Sequence, residues 1–197
     1  MGANIDFGLI HQTFFFIRHG QTDWNRNKIA MGQADVPLNE QGMAEACLAA
    51  EQLAECGIQK IFHSPLQRAA STANIIGELL HLPCQPIDAL SQCNWGTMQG
   101  QPRGDESWRM AWRRGEIHIN GAESFNEFAH RVCSGVNEAL THGKPILIVA
   151  HGATYAAIQR TIGLTDREMQ NCAPLQYHPP ERAGMQWRLT ELAVLTD

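Results

Sequence analysis

Four consecutive apolar residues, Phe14-Phe15-Phe16-Ile17, run directly into Arg18-His19-Gly20, and no other feature restricts the fold as much. A run so short and so uniformly apolar reads as a strand buried on both faces, the kind found inside a parallel sheet. Such a sheet needs helices on both sides and binds ligands outside the carboxyl ends of its strands. A guanidinium, an imidazole and a glycine at that point describe a phosphate site with a nucleophile at its centre. A second apolar strand, Pro145 to Ala150, ends the same way in His151-Gly152.

Helical and strand patterns alternate between these two. A helix is expected from about Glu40 to Cys56, with Asn39 as N-cap and Gly57 as stop. Ile58 to His63 reads as a strand, and Ser64-Pro65 starts a helix running to about His81, with Ser as cap and Pro in the first turn. Cys84 to Asp88 reads as a third strand, followed by a glycine-punctuated segment from Leu90 to Gly104. A Trp/Arg-rich helix is expected over Glu106 to Arg114, and the capping box Ser124 to Glu127 opens a helix to about Leu140. Thr165 to Glu168 is another capping box, and Trp187 to Leu195 reads as an edge strand or hairpin. The fold class is therefore α/β: three layers, a doubly wound and mostly parallel sheet, and helices on both faces.

The 197 residues, 44% hydrophobic and 18% charged, are enough to bury one core, so residues 1–197 are expected to form a single domain. A net charge of -5 argues against a nucleic-acid partner, so any anion site must be a local pocket. Six scattered cysteines without a C-x-x-C pair suit reduced thiols in a cytoplasmic protein. No apolar run approaches the roughly 20 residues that span a bilayer, and no membrane association is expected. The N-terminal residues lack a signal-peptide pattern, and Asp6 stands where myristoylation wants Ser or Thr. A homodimer is compatible with the chain.

If the first and last apolar strands are neighbours, His19 and His151 face one another across the sheet's carboxyl edge. Arg18 and Arg68 then supply two guanidinium forks shaped for phosphate oxygens. A neutral imidazole can attack phosphorus, splitting one hard displacement into two easier ones. The cations hold His19 unprotonated and neutralise charge during transfer. Gly20 lets the backbone approach the anion, Thr22 and Asn25 offer polar groups, and Gly152 opens a helix whose N-terminus points at the anion.

Arg18-His19-Gly20-Gln21-Thr22 with Trp24-Asn25 resembles the signature of the histidine phosphatase superfamily, in its phosphoglycerate mutase-like branch. Gly32, Asp35, Pro37-Leu38 and Gly42 fit its next block, and Ser64-Pro65-Leu66 with Arg68-Ala69 and Thr72-Ala73 the one after. Gly121, Glu123-Ser124 and Arg131 resemble a third, and Val149-Ala150-His151-Gly152 the last. The resemblance covers nearly the whole chain, in order. It implies a doubly wound sheet with one antiparallel edge strand, and phosphomonoester hydrolysis through a phosphohistidine on His19. Arg18, Arg68 and His151 complete the phosphate pocket, with Thr22 and Asn25 as accessory binders. A phosphorylated small molecule is the implied substrate. No metal or other cofactor is implied, because the arginines neutralise the phosphate.

One position departs from the family pattern. In Leu90-Ser91-Gln92, the amide of Gln92 stands where the resemblance puts the carboxyl that protonates the leaving oxygen. An amide hydrogen-bonds an alkoxide but does not protonate it at neutral pH. The loss is greatest for alkyl phosphates and smaller for aryl or acyl phosphates, whose leaving groups are already acidic. Asp88, Asp105, Glu106 and Glu123 are the carboxylates nearest in sequence. Residues 98–122 read as a short lid-like insertion, too short and too poor in proline for the family's full mutases. Within it, Trp108 to Arg114 reads as a half-solvated amphipathic helix. Phosphatase is thus the first reading; phosphoryl transfer of the mutase kind and a catalytically weak phosphate-ligand-binding or regulatory protein are the alternatives.

Overall fold

The computed structural model describes residues 8–165, 167–182 and 184–192. In chain order the elements are β1 (Phe14–Arg18), α1 (Asp23–Arg26), α2 (Glu40–Leu53), β2 (Lys60–His63), α3 (Gln67–Leu80), β3 (Cys84–Pro86), α4 (Ser107–Arg114), α5 (Phe125–Leu140), β4 (Ile146–Ala150), α6 (Gly152–Thr161), β5 (Leu175–His178) and β6 (Arg188–Glu191). The sheet runs β3-β2-β4-β1-β5-β6. Strands β1 to β4 are parallel, and the expected doubly wound architecture is present. Its one reversed strand, β5, lies a place in from the edge, because β6 pairs antiparallel outside it.

The apolar runs work as two-faced strands. Phe14 and Phe16 point into a core with Val132, Val136 and Tyr155 of α5 and α6. Phe15 and Ile17 point the other way, onto Ala46, Leu53, Ala69 and Ile76 of α2 and α3. β4 repeats the division, with Ile146 and Ile148 on the first side and Leu147 and Val149 on the second. Each such side chain contributes roughly 1.5–3 kcal/mol by leaving water. With both faces greasy, β1 and β4 have no tolerable place but the centre, and their carboxyl ends emerge side by side.

Several boundaries differ from the sequence reading. Helix α2 stops at Leu53, and Gly57 takes its left-handed φ of +68° in the turn beyond. Ser64 does not cap α3: the N-cap is Leu66, without a side-chain bond, and the Ser64 hydroxyl is held by His151 instead. β3 closes at Pro86 and gives way to a 3-10 turn over Asp88–Leu90. The box at Thr165 opens no helix among the described residues, Asp166 lying outside them. The carbonyl of Met169 is drawn instead to the Arg18 guanidinium, 2.7 Å away. Strand β5 was not anticipated, nor the single turn of α1. Of the final predicted strand, Arg188–Glu191 forms, and residues 193–195 lie outside the described set. No helix among the described residues is long and apolar enough to cross a membrane. All six cysteines are free thiols.

Candidate active site

Both histidines follow directly on adjacent parallel strands. Arg18 pairs with Ala150 in the ladder, and the His19 N–H donates to the Ala150 carbonyl at 2.9 Å. The two imidazole centroids stand 5.3 Å apart at a steep angle. His19 is 1% exposed and His151 fully buried. Burial comes first, then Arg68 and Arg18, in holding His19 well below the ordinary histidine value. Burial, Arg68 and His19 do the same to His151. Both rings are therefore neutral at pH 7.

Hydrogen bonding fixes where the His19 proton sits. His19 Nδ1 lies 2.8 Å from the Gly20 carbonyl, which only accepts, so Nδ1 carries the hydrogen and Nε2 keeps its lone pair. His151 Nε2 lies 2.8 Å from Ser64 Oγ. That hydroxyl also accepts from the Leu66 N–H at 3.3 Å. His151 Nδ1 is a buried atom with no protein partner.

The guanidinium groups are held from behind. Arg68, fully buried at the start of α3, donates to the carbonyls of Gly32 and Ala34 at 2.8 and 2.9 Å. Arg18 donates to the Met169 carbonyl. In each, Nε is buried without a protein acceptor. Burial lowers both arginines to about 10, so each stays charged at pH 7. A cleft of about 620 Å³ opens over this group; Arg18, His19, Asn25, Gln92 and Gly152 line it, and Arg68 and His151 sit behind that lining.

The remaining predicted residues divide. Asn25 lines the cleft with its Oδ1 engaged by the Thr22 N–H. Thr22 does not reach the cleft; it is the fully buried N-cap of α1, in a reciprocal box with Asn25. Gly20 answers to packing rather than to the anion: a Cβ there would stand 2.3 Å from the Gly42 carbonyl oxygen. At Gly152 a Cβ would stand 3.8 Å from Arg18 Nε, so this backbone does face the arginine. Gln92 lines the cleft, and the Cys93 N–H bonds to its Oε1 at 2.9 Å, which identifies that atom as oxygen. Glu123 immediately precedes Ser124, the N-cap of α5. It pairs with Arg131, whose guanidinium also donates to the carbonyls of Ala89 and Ser91, fixing the segment that carries Gln92.

Some contributors had no local signal in sequence. Asn171 donates from Nδ2 to the His19 carbonyl, and Met169 anchors Arg18. The opposite wall of the cleft comes from the segment around α4. There Trp112 is buried against Trp95 and Phe125, its indole N–H on the Glu123 carbonyl, while Arg109 and Arg113 face the cleft with Arg103. Of the carboxylates weighed above, Asp105 and Glu106 line the cleft, and Glu168 joins them. Among the described residues no cluster of His, Cys, Asp and Glu could hold a metal ion.

A doubly wound sheet gathering two neutral imidazoles and two charged guanidinium groups at its carboxyl edge is an anion-handling α/β fold. Residues 14–186 match the histidine phosphatase superfamily (branch 1), and the chain belongs to that family. It is 36% identical over 158 residues, 79% of each chain, to an uncharacterized phosphatase, PhoE, of Bacillus subtilis. It is 30% identical over 157 residues, 75% of this chain and 73% of the other, to a probable phosphoglycerate mutase, GpmB, of Yersinia pestis. Among solved structures, a mycobacterial glucosyl-3-phosphoglycerate phosphatase crystallised with VO3 superposes with a TM-score of 0.77 and 29% identity, covering 90% of this chain and 97% of that one. Family and relatives together support phosphoryl transfer of the phosphatase or mutase type.

Proposed function

We propose that the protein is a phosphomonoester phosphatase working through a phosphohistidine on His19. The supporting observation is the state of that ring: buried between two guanidinium groups, neutral, and hydrogen-bonded so that Nε2 holds the lone pair. In this reading Nε2 attacks phosphorus, the P–O bond to the leaving group breaks, and its electron pair leaves on that oxygen. Arg18, Arg68 and His151 hold the phosphoryl oxygens as charge builds. Water then attacks the phosphohistidine, releasing inorganic phosphate and restoring the ring. Gln92 donates a hydrogen bond to the leaving oxygen without protonating it, which favours acidic leaving groups. Residues 98–122 serve as the lid of a single domain.

Transfer between phosphorylated acceptors is the second reading, carried by the mutase-named relative. A phosphate-binding protein with little turnover is the third, motivated by Gln92.

Incubation with 4-nitrophenyl phosphate, followed by alkaline quench, tests all three. The expected result is stoichiometric release of inorganic phosphate, a covalent phosphoenzyme, and loss of both in His19→Ala by at least about 10⁴-fold. Turnover that survives His19→Ala, or its absence from the wild type, overturns the proposal. Phosphate release only when a second phosphorylated metabolite is added favours the mutase reading.

A further inference from the structure

The cleft is cationic out of keeping with the chain. Its described lining sets six cations against three carboxylates, whereas the whole chain carries a net charge of -5. Arg18 and Arg68 account for one phosphate. Two more arginines of the lining, Arg103 and Arg109, converge on a point away from the sheet edge, and that point holds a carboxylate belonging to the protein itself. Glu106 Oε1 lies 2.9 Å from one guanidinium nitrogen of Arg103, and its Oε2 is bonded to Arg109. Both arginine side chains are 17% exposed and that of Glu106 is 39% exposed, so the arginines form the floor and the carboxylate lies on top.

Two further observations mark the carboxylate as a removable occupant. Glu106 adopts a left-handed φ of +62°, a conformation unfavourable for a side chain with a Cβ and compensated only by its contacts. The Arg103 arm of the cradle, by contrast, is anchored without it, while the Arg109 guanidinium is held by Glu106. The Arg103 carbonyl accepts from the Trp108 indole, Trp108 packs edge-on against buried Trp95, and the Arg103 guanidinium reaches the Asn25 carbonyl at 3.4 Å. Asn25 belongs to α1, the single turn that follows His19, and the charges of Arg109 and Arg103 help lower Arg18. Arg103 and Arg109 line the same cleft of about 620 Å³ as Arg18 and His19, so a molecule bound at the first site meets the second cradle within one cavity.

We infer that Arg103 and Arg109 form a second anion site in the cleft, that Glu106 occupies it as an internal stand-in, and that the natural substrate is a phosphomonoester whose leaving group carries a second acid group which displaces Glu106. This rests on the reading above in placing the first phosphate between Arg18 and Arg68. The incoming acid group inherits two guanidinium partners, while Glu106, half solvated, gives up an ion pair of the kind that stabilises little. The arrangement also selects: a phosphate ester without a second acid group leaves Glu106 in place and gains nothing from this wall.

Calorimetric titration of the full chain with non-hydrolysable phosphonates tests the inference apart from turnover. Phenylphosphonate carries one anion; 4-carboxyphenylphosphonate and 1,4-phenylenebisphosphonate carry two. Wild-type protein is expected to bind the better of the two dianchored ligands about tenfold more tightly than phenylphosphonate, and the better one names the acid group. Removing the stand-in, by Glu106→Gln or by Glu106→Gly (which tolerates the positive φ), is expected to widen that preference by about a further fivefold. Arg109→Met is expected to erase it, the two dianchored ligands falling to the affinity of phenylphosphonate for the same variant. Equal affinities in the wild type, or Glu106 variants that shift all three ligands alike, overturn the inference. An inactive enzyme that keeps the preference sinks the hydrolytic reading and spares this one; an active enzyme without the preference does the reverse.

Discussion

The two walls of the cleft are built on opposite terms. On the sheet side, His19, His151 and Arg68 are at most 1% exposed, and each is fixed by a strand end, a helix start or a backbone carbonyl. On the α4 side, the charged groups are partly solvated, pair with one another, and hang from tryptophans in the core. The first wall can recognise only what every phosphomonoester shares. The second can tell one ester from another, and it can be rebuilt without disturbing the first. Chemistry and selection are assigned to different amounts of burial.

The largest test of that division is Arg68→Met. It removes the buried guanidinium that the proposed mechanism sets against the phosphate, and is expected to lower kcat/KM by about 10²–10³-fold for every phosphomonoester tried. A loss that varied with the leaving group would show that the buried wall also selects, and the contrast would fail. The same substitution orphans the Gly32 and Ala34 carbonyls, so urea denaturation should register a loss of about 1–3 kcal/mol for each.

Gln92 stands where the walls meet, and Gln92→Glu sharpens the contrast. A carboxyl at this position is expected to raise the rate on alkyl phosphates by about tenfold or more, and progressively less as the leaving group becomes more acidic. Steady-state rates across a series of alkyl and aryl phosphates read this directly. A uniform gain, or none, would place the residue outside the path of the leaving oxygen.

The smallest effect concerns stability. His19 and His151 titrate below their unfolded values of about 6.5. Between the folded and unfolded values the unfolded chain binds more protons. Their contribution is therefore complete above pH of about 6.5 and is lost as the pH falls from there toward the folded values. Denaturation midpoints without phosphate should drop between pH 7.5 and 5.5, and His151→Gln should reduce that drop. An unchanged slope in the variant would mean the buried wall carries no such strain.

How much of this was legible in the sequence follows the same division. β1 and β4 were readable because apolar residues on both faces leave only one environment, and Arg18, His19, His151 and Gly152 followed from where those strands stop. Arg68 was readable by resemblance, but not its grip on Gly32 and Ala34, which joins elements distant in sequence. Ser64 was misread as a helix cap, since a serine before proline carries that signal and its bond to His151 leaves none. Thr22 looked like a binder and is a cap. Glu123 lies before the N-cap of α5 and Arg131 within that helix, so no rule for a single element could find their pairing. β5, among prolines, alternates too briefly to stand out.

The 5.3 Å between the imidazole rings is close to the roughly 4.8 Å that separates any two hydrogen-bonded strands. The sheet acts as a gauge block: its ladder, not the side chains themselves, sets the gap into which a tetrahedral anion must fit. A single residue inserted in either Phe14–Arg18 or Ile146–Ala150 would turn one histidine to the opposite face. Tolerance to change in this protein should accordingly be measured in register along β1 and β4, and only secondarily in the identity of what lies across the cleft.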